Sequence, residues 1–196
     1  SFIFCLFIFN SSAEALVEVD ITRGNLEPLP IAVSPLHVEL GSKDIKQGNT
    51  IIKNIGERIS EVIEINFRRS GLFNPLKKNS FVQNPEIAHV KPRFEDWRLI
   101  KAQALVTGQV IVSDDKLRVE FRLWDVVAAK EMIALAFSTT PNNWRRVAHI
   151  ISDKVYQRLT GEEGYFDTRI VYVSESGPKT QRYKKLAIMD QDGANV

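Results

Sequence analysis

An α+β fold, a two-layer sandwich of helices on a mixed β-sheet, is what this sequence predicts. Three features carry that expectation. Residues 49–70 and 144–161 space their apolar side chains by three and four, the period of a helix with one buried face. Residues 104–138 give three successive strand-like segments joined by turns, the middle one alternating strictly between apolar and polar side chains, the pattern of a meander with one face packed and one in water. The whole order is strand, helix, strand, short helix, three-strand meander, helix, which places two long helices on one face of a mixed sheet.

The first strand signal is Leu16-Val17-Glu18-Val19-Asp20-Ile21-Thr22, where Val17, Val19 and Ile21 alternate with Glu18, Asp20 and Thr22. Ile31-Ala32-Val33 follows between prolines, a short strand because proline cannot donate to a ladder. Residues 38–49 read as a loop. In the first helix Ile52, Ile55, Ile59, Val62, Ile63 and Phe67 share a face, with Asn49 or Thr50 as the N-cap. Arg68 and Arg69 meet the negative end of its dipole, and Gly71 supplies the left-handed residue that ends it. Leu72-Phe73-Asn74-Pro75-Leu76 returns as strand, residues 79–93 form a loop, and a short helix covers 94–101 behind Glu95 and Asp96.

The meander opens with residues 104–112 and turns at Ser113-Asp114-Asp115-Lys116. It continues with Leu117, Val119, Phe121 and Leu123 alternating with Arg118, Glu120 and Arg122. Its third strand, 132–138, sets Ile133, Leu135 and Phe137 against alanines on the other face. Pro141-Asn142-Asn143 ends the sheet and caps the second long helix, whose stripe is Trp144, Val147, Ile151, Val155 and Leu159 up to Gly161. Thr168-Arg169-Ile170-Val171-Tyr172-Val173 then begins a new β-unit.

The chain has 196 residues, 44% hydrophobic and 26% charged, the balance of a globular protein. No run approaches the roughly 20 apolar residues of a spanning helix, so no integral membrane segment is expected. The net charge of +2 argues against a nucleic-acid partner, which selects a clustered basic face. Residues 1–15 stand apart: Phe2-Ile3-Phe4-Cys5-Leu6-Phe7-Ile8-Phe9 precedes Asn10-Ser11-Ser12 and Ala13-Glu14-Ala15. That is the apolar region and Ala-x-Ala cleavage site of an incomplete secretory signal, with Ala13 and Ala15 at the site and Leu16 as the first mature residue. Cys5 is the single cysteine, so the mature chain would have none for disulfides or thiol chemistry.

No catalytic, cofactor or metal site is expected. His37, His89 and His149 share no ligand spacing, and His149 reads as a packed or surface residue of the last helix. There is no G-x-S-x-G elbow, P-loop or G-x-G-x-x-G. Asp190-Gln191-Asp192-Gly193 reads as a turn with a positive-φ glycine before it reads as a calcium loop, since Ala194 falls where a third carboxylate belongs. Glu162-Glu163, between glycines, reads as a polar interdomain joint.

The motifs PIAVSPL, FRRSGLFNPL, LVTGQVIV, RVEFRLWDV, ISDKVYQRLTGEEGYFDTRIVYVSES and RYKKLAIMDQDGANV, in this order, resemble the TolB family, periplasmic components of the Tol-Pal cell-envelope system. The resemblance implies a signal peptide over 1–15, a partner-binding strand over 16–24, an N-terminal α/β domain over 25–164, and the first strands of a truncated β-propeller over 165–196. It implies a non-enzymatic periplasmic scaffold for outer-membrane integrity and constriction at cell division. The partners it implies are the C-terminal domain of TolA, met by Leu16 to Thr22, and the lipoprotein Pal, met through the propeller. The alternative is the N-terminal fragment of a propeller-containing serine peptidase.

Overall fold

Prolines on either side confine β1 (Leu29–Val33) to five residues, yet this short strand becomes the parallel centre of the sheet. The structure is a computed structural model that describes residues 27–47 and 50–196. Strand β1 pairs in parallel with β5 (Phe73–Pro75) on one side and β6 (Ala104–Val112) on the other. Strand β6 continues antiparallel to β7 (Leu117–Asp125), and β7 antiparallel to β8 (Lys130–Thr139), giving the order β5-β1-β6-β7-β8. The two-residue β2 (His37–Val38) lies parallel to the far end of β6, with His37 opposite Gln109. The sheet is mixed, as expected.

Side-chain alternation sorts its two faces. Ile31, Val33, Val106, Val110, Val119, Phe121 and Leu123 point to one face and are buried there under α1 (Ile55–Ser70) and α4 (Trp144–Thr160). The helices contribute Ile59, Ile63 and Phe67 from α1 and Val147, Ile151 and Val155 from α4. Ala32 and Leu105 point the other way, into a smaller core under Trp97, Ala88, Ala102 and Val126. That second cover comes from α2 (Pro85–Ala88) and α3 (Phe94–Leu99), so the far face is partly roofed rather than bare. Both long helices end on left-handed glycines, Gly71 at φ 73° and Gly161 at φ 77°.

Four expectations are corrected. The loop expected over 79–93 carries α2, which starts because Pro85 fits the first helical position and Asn84 Oδ1 accepts the Glu86 amide at 3.0 Å. The loop expected over 38–49 carries the strand β3 (Ile45–Gln47), paired antiparallel to β4 (Thr50–Ile52) with Ile45 opposite Ile52. The β-branched Thr50, Ile51 and Ile52 thus serve this hairpin rather than the helix. Helix α1 consequently starts at Ile55, not behind Asn49 or Thr50; Asn54, left-handed at φ 55°, gives its carbonyl to the Glu57 and Arg58 amides. Asn143 makes no side-chain cap on α4, because its amide donates to the Thr139 and Thr140 hydroxyls.

Beyond α4, β9 (Arg169–Ser176) and β10 (Tyr183–Asp190) form a separate antiparallel hairpin. No helix among the described residues is long and apolar enough to cross a membrane.

Candidate functional site at the joint between helices and hairpin

Arg145, His149 and Ser152 lie at i, i+4 and i+7 on α4 and so share one side of it. Asn66 faces them from α1. Its Nδ2 donates to Ser152 Oγ at 2.9 Å and lies 3.0 Å from His149 Nδ1. The turn that follows β10 closes over this group. Gln191 Nε2 donates to Asn66 Oδ1 at 3.1 Å, and Arg69 Nη2 donates to the Gln191 carbonyl at 3.0 Å. Arg145 donates to Asp192 Oδ2 through both Nε and Nη2, and His149 Nε2 lies 3.4 Å from the same oxygen. Gly193, at φ 85°, completes the turn by donating to the Asp190 carbonyl.

The chain between α4 and the hairpin is fixed as well. Asp153 accepts the amides of Phe166 at 2.6 Å and Asp167 at 3.0 Å, while Arg146 reaches both Asp167 oxygens. Gly164 passes so close to α4 that a Cβ there would lie 2.6 Å from Asp153 Cβ. Phe166 is buried, its ring edge-on to Tyr156. Glu162 and Glu163, expected at a polar joint, are exposed, and the joint is made instead by these flanking residues.

Burial works against charge throughout this seam. It pushes the Asp192 carboxyl up, but the Arg145 hydrogen bonds, the Ala194 amide and the Arg145 charge overcome it and hold the group below the ordinary carboxylate range. Burial pushes His149 down, and the opposing pull of Asp192 does not restore it. Burial raises Asp153 despite its two amide donors. The seam is therefore built around an ionised Asp192 and a neutral His149.

His149, Asp190 and Asp192 each place a possible ligand atom within 4.8 Å of the others. Two of the carboxylate oxygens are already engaged, Asp192 Oδ2 by Arg145 and Asp190 Oδ2 by Asn195. Arg145 is the cation that this cluster holds, and a metal ion would have to displace it against its charge. The arrangement is suited to docking one structural unit on another.

Leu16, Val17, Glu18, Val19, Asp20, Ile21 and Thr22, with Ala13 and Ala15, lie outside the described residues. His37 and His89, unrelated by spacing, stack with ring centroids 4.8 Å apart. His149 is packed rather than on the surface. Asn66 was legible as a polar residue inside the apolar stripe of α1, and such a residue needs a buried partner. Nothing local marks Arg145 or Asp192 as a pair.

These elements match known proteins. The model of the TolB amino-terminal domain matches residues 17–132. The chain belongs to the TolB family. A Tol-Pal system protein TolB of Pelagibacter ubique is 67% identical over 195 residues, which is 99% of this chain and 44% of that protein. The crystal structure of TolB from Acinetobacter baumannii superposes with a TM-score of 0.67 at 25% identity, over 92% of this chain and 40% of that one. The chain thus spans less than half the length of these TolB relatives.

Proposed function

We propose that the chain is the N-terminal part of a non-enzymatic periplasmic scaffold of the Tol-Pal system, acting in outer-membrane integrity and constriction at cell division. The observation that carries this reading is the 67% identity to a Tol-Pal system protein over 99% of the chain. Residues 1–15 are the export signal, 16–24 a partner-binding strand, 25–164 the α/β domain, and 165–196 the first strands of a β-propeller. The serine-peptidase alternative gains no support from these relatives.

Leu16 to Thr22 is assigned to the C-terminal domain of TolA. An extended segment adds to the edge of another sheet by main-chain hydrogen bonds, and the alternate side chains Val17, Val19 and Ile21 set its register. Pal is assigned to the propeller. The test is to titrate the TolA C-terminal domain with the chain starting at Leu16 and with one starting at Asn25. Deletion should abolish binding and leave thermal unfolding unchanged. Equal binding by both would reject strand addition, and unfolding on deletion would make the segment structural.

A further inference from the structure

Asn66 fixes the tautomer of the neutral His149 ring. Its amide nitrogen can only donate, so Nδ1, 3.0 Å away, must accept and the ring proton sits on Nε2. That Nε2 faces Asp192 Oδ2 at 3.4 Å without completing a hydrogen bond. The carbonyl end of the same Asn66 amide holds Gln191. One side chain therefore senses the imidazole with one end and seats the turn with the other.

We propose that this is a protonation-sensitive latch, in which a second proton on His149 unseats residues 190–194 from α1 and α4. A proton on Nδ1 would confront the N–H of Asn66. Reversing the Asn66 amide would relieve that clash, but it would then present a donor to the Gln191 donor and keep Ser152 only if that hydroxyl gave up the Ala148 carbonyl. Either way the tie across the joint is weakened.

Charged groups face the ring from every element around it. Arg145 and Asp153 come from α4, Asp167 from the connecting segment, and Asp190 and Asp192 from the hairpin. From α1 the facing group is the neutral Asn66, with Arg69 on the Gln191 carbonyl. Asp192, Asp190 and Asp167 favour the imidazolium; burial and Arg145 oppose it and prevail, holding the ring below an ordinary imidazole's 6.5. The seated state then binds fewer protons than the released one, so its stability is full above 6.5 and declines as pH falls below it. The latch concerns the joint alone and stands apart from the partner reading above.

The test is hydrogen exchange of the 196-residue chain at about pH 7.5 and about pH 5, corrected for intrinsic rates. The probes are the Arg145 Nε–H and the amides of 191–194. Their protection should fall about tenfold or more in acid, relative to β6 and β7. His149→Gln should abolish the acid response. Asn66→Asp should reverse its sign, because a carboxylate accepts the imidazolium Nδ1–H and tightens in acid; this variant carries the test if His149→Gln does not fold. Unchanged protection in acid, which would follow if Asn66 and Gln191 both reversed their amides, overturns the latch. So does an equal loss in β6 and β7, or an acid response that survives in His149→Gln.

Discussion

Arg145 Nε and Asp192 Oδ2 lie 3.0 Å apart across 47 residues of sequence, and the Asp192 side chain keeps 4% of its surface. A carboxylate so enclosed depends on its partner, since removing one member of a buried pair leaves the other uncompensated. Arg145→Met should therefore weaken the seating of 190–194 by about 1–3 kcal/mol. The double variant Arg145→Met with Asp192→Asn should lose less than the sum of the two single changes. Native-state exchange of the 190–194 amides measures all three, and strict additivity would show that the pair is not coupled. Because Asp192 titrates below the ordinary 3.8, its contribution is present above that value and disappears as pH falls through the folded pKa. Acid thus acts on this joint in two steps, His149 first and Asp192 later.

Gly56→Ala should destabilise the fold although alanine is the better helix former. A Cβ at this position falls onto the backbone carbonyl of Leu36 and 3.1 Å from Val38 Cγ2. The Leu36 amide donates to the Gly56 carbonyl at 3.2 Å, so the two backbones cannot simply move apart. The helix gains about 1 kcal/mol in propensity, while overpacking costs about 1–3 kcal/mol. Denaturant unfolding should show a net loss, and a higher midpoint would contradict the close approach.

The parts of the fold legible in the sequence are those with one apolar face long enough to show a period. Helices α1 and α4 and strands β7 and β8 each repeat their pattern at least three times, and β6 shows as a nine-residue, largely apolar run. Strands β2, β3 and β4 have two or three residues each, too few for alternation to emerge, and their pairing depends on what lies beside them. The stripe of α1 contained half of the joint, since Asn66 interrupts it. The other half, Asp192, reads locally as a turn residue, because only the length of the β9–β10 hairpin decides that this turn lands on Arg145.

Gln83→Leu should be far more disruptive than Gln83→Glu. Gln83 is buried, and its Oε1 accepts the Trp97 indole N–H at 3.1 Å and the Arg93 amide at 2.9 Å. Its Nε2 donates to the Lys91 carbonyl at 3.0 Å. Leucine strands all three groups, at about 1–3 kcal/mol for each one left unsatisfied. Glutamate keeps both acceptor bonds, and as the neutral acid at about pH 4 its O–H can replace the donation to the Lys91 carbonyl, so the comparison is made there. Thermal unfolding of the two variants measures the difference, and equal midpoints would show that Gln83 serves only to fill space.

Protection against hydrogen exchange should fall along the β9–β10 hairpin with distance from the joint. At its seated end Asp190 is buried and the Gln191 amide donates to the Thr168 carbonyl at 3.1 Å. At the far end Tyr183 is 60% exposed, and midway along the hairpin Leu186 and Val173, which face each other, are 75% and 58% exposed. The two strands pair only with each other among the described residues. A two-stranded hairpin without a packed face is marginal in water, so fraying begins where packing is absent. The ion pairs of Glu175 with Arg182 and Lys184 lie at that open end and are solvated, which leaves them little power to hold it. Amides near Ser174–Ser176 and Tyr183–Lys185 should exchange fastest, those near Ile170 and Met189 more slowly, and those of β6 and β7 slowest of all. Uniform protection along the hairpin would mean that its stability comes from its own strands and not from the seat on α1 and α4.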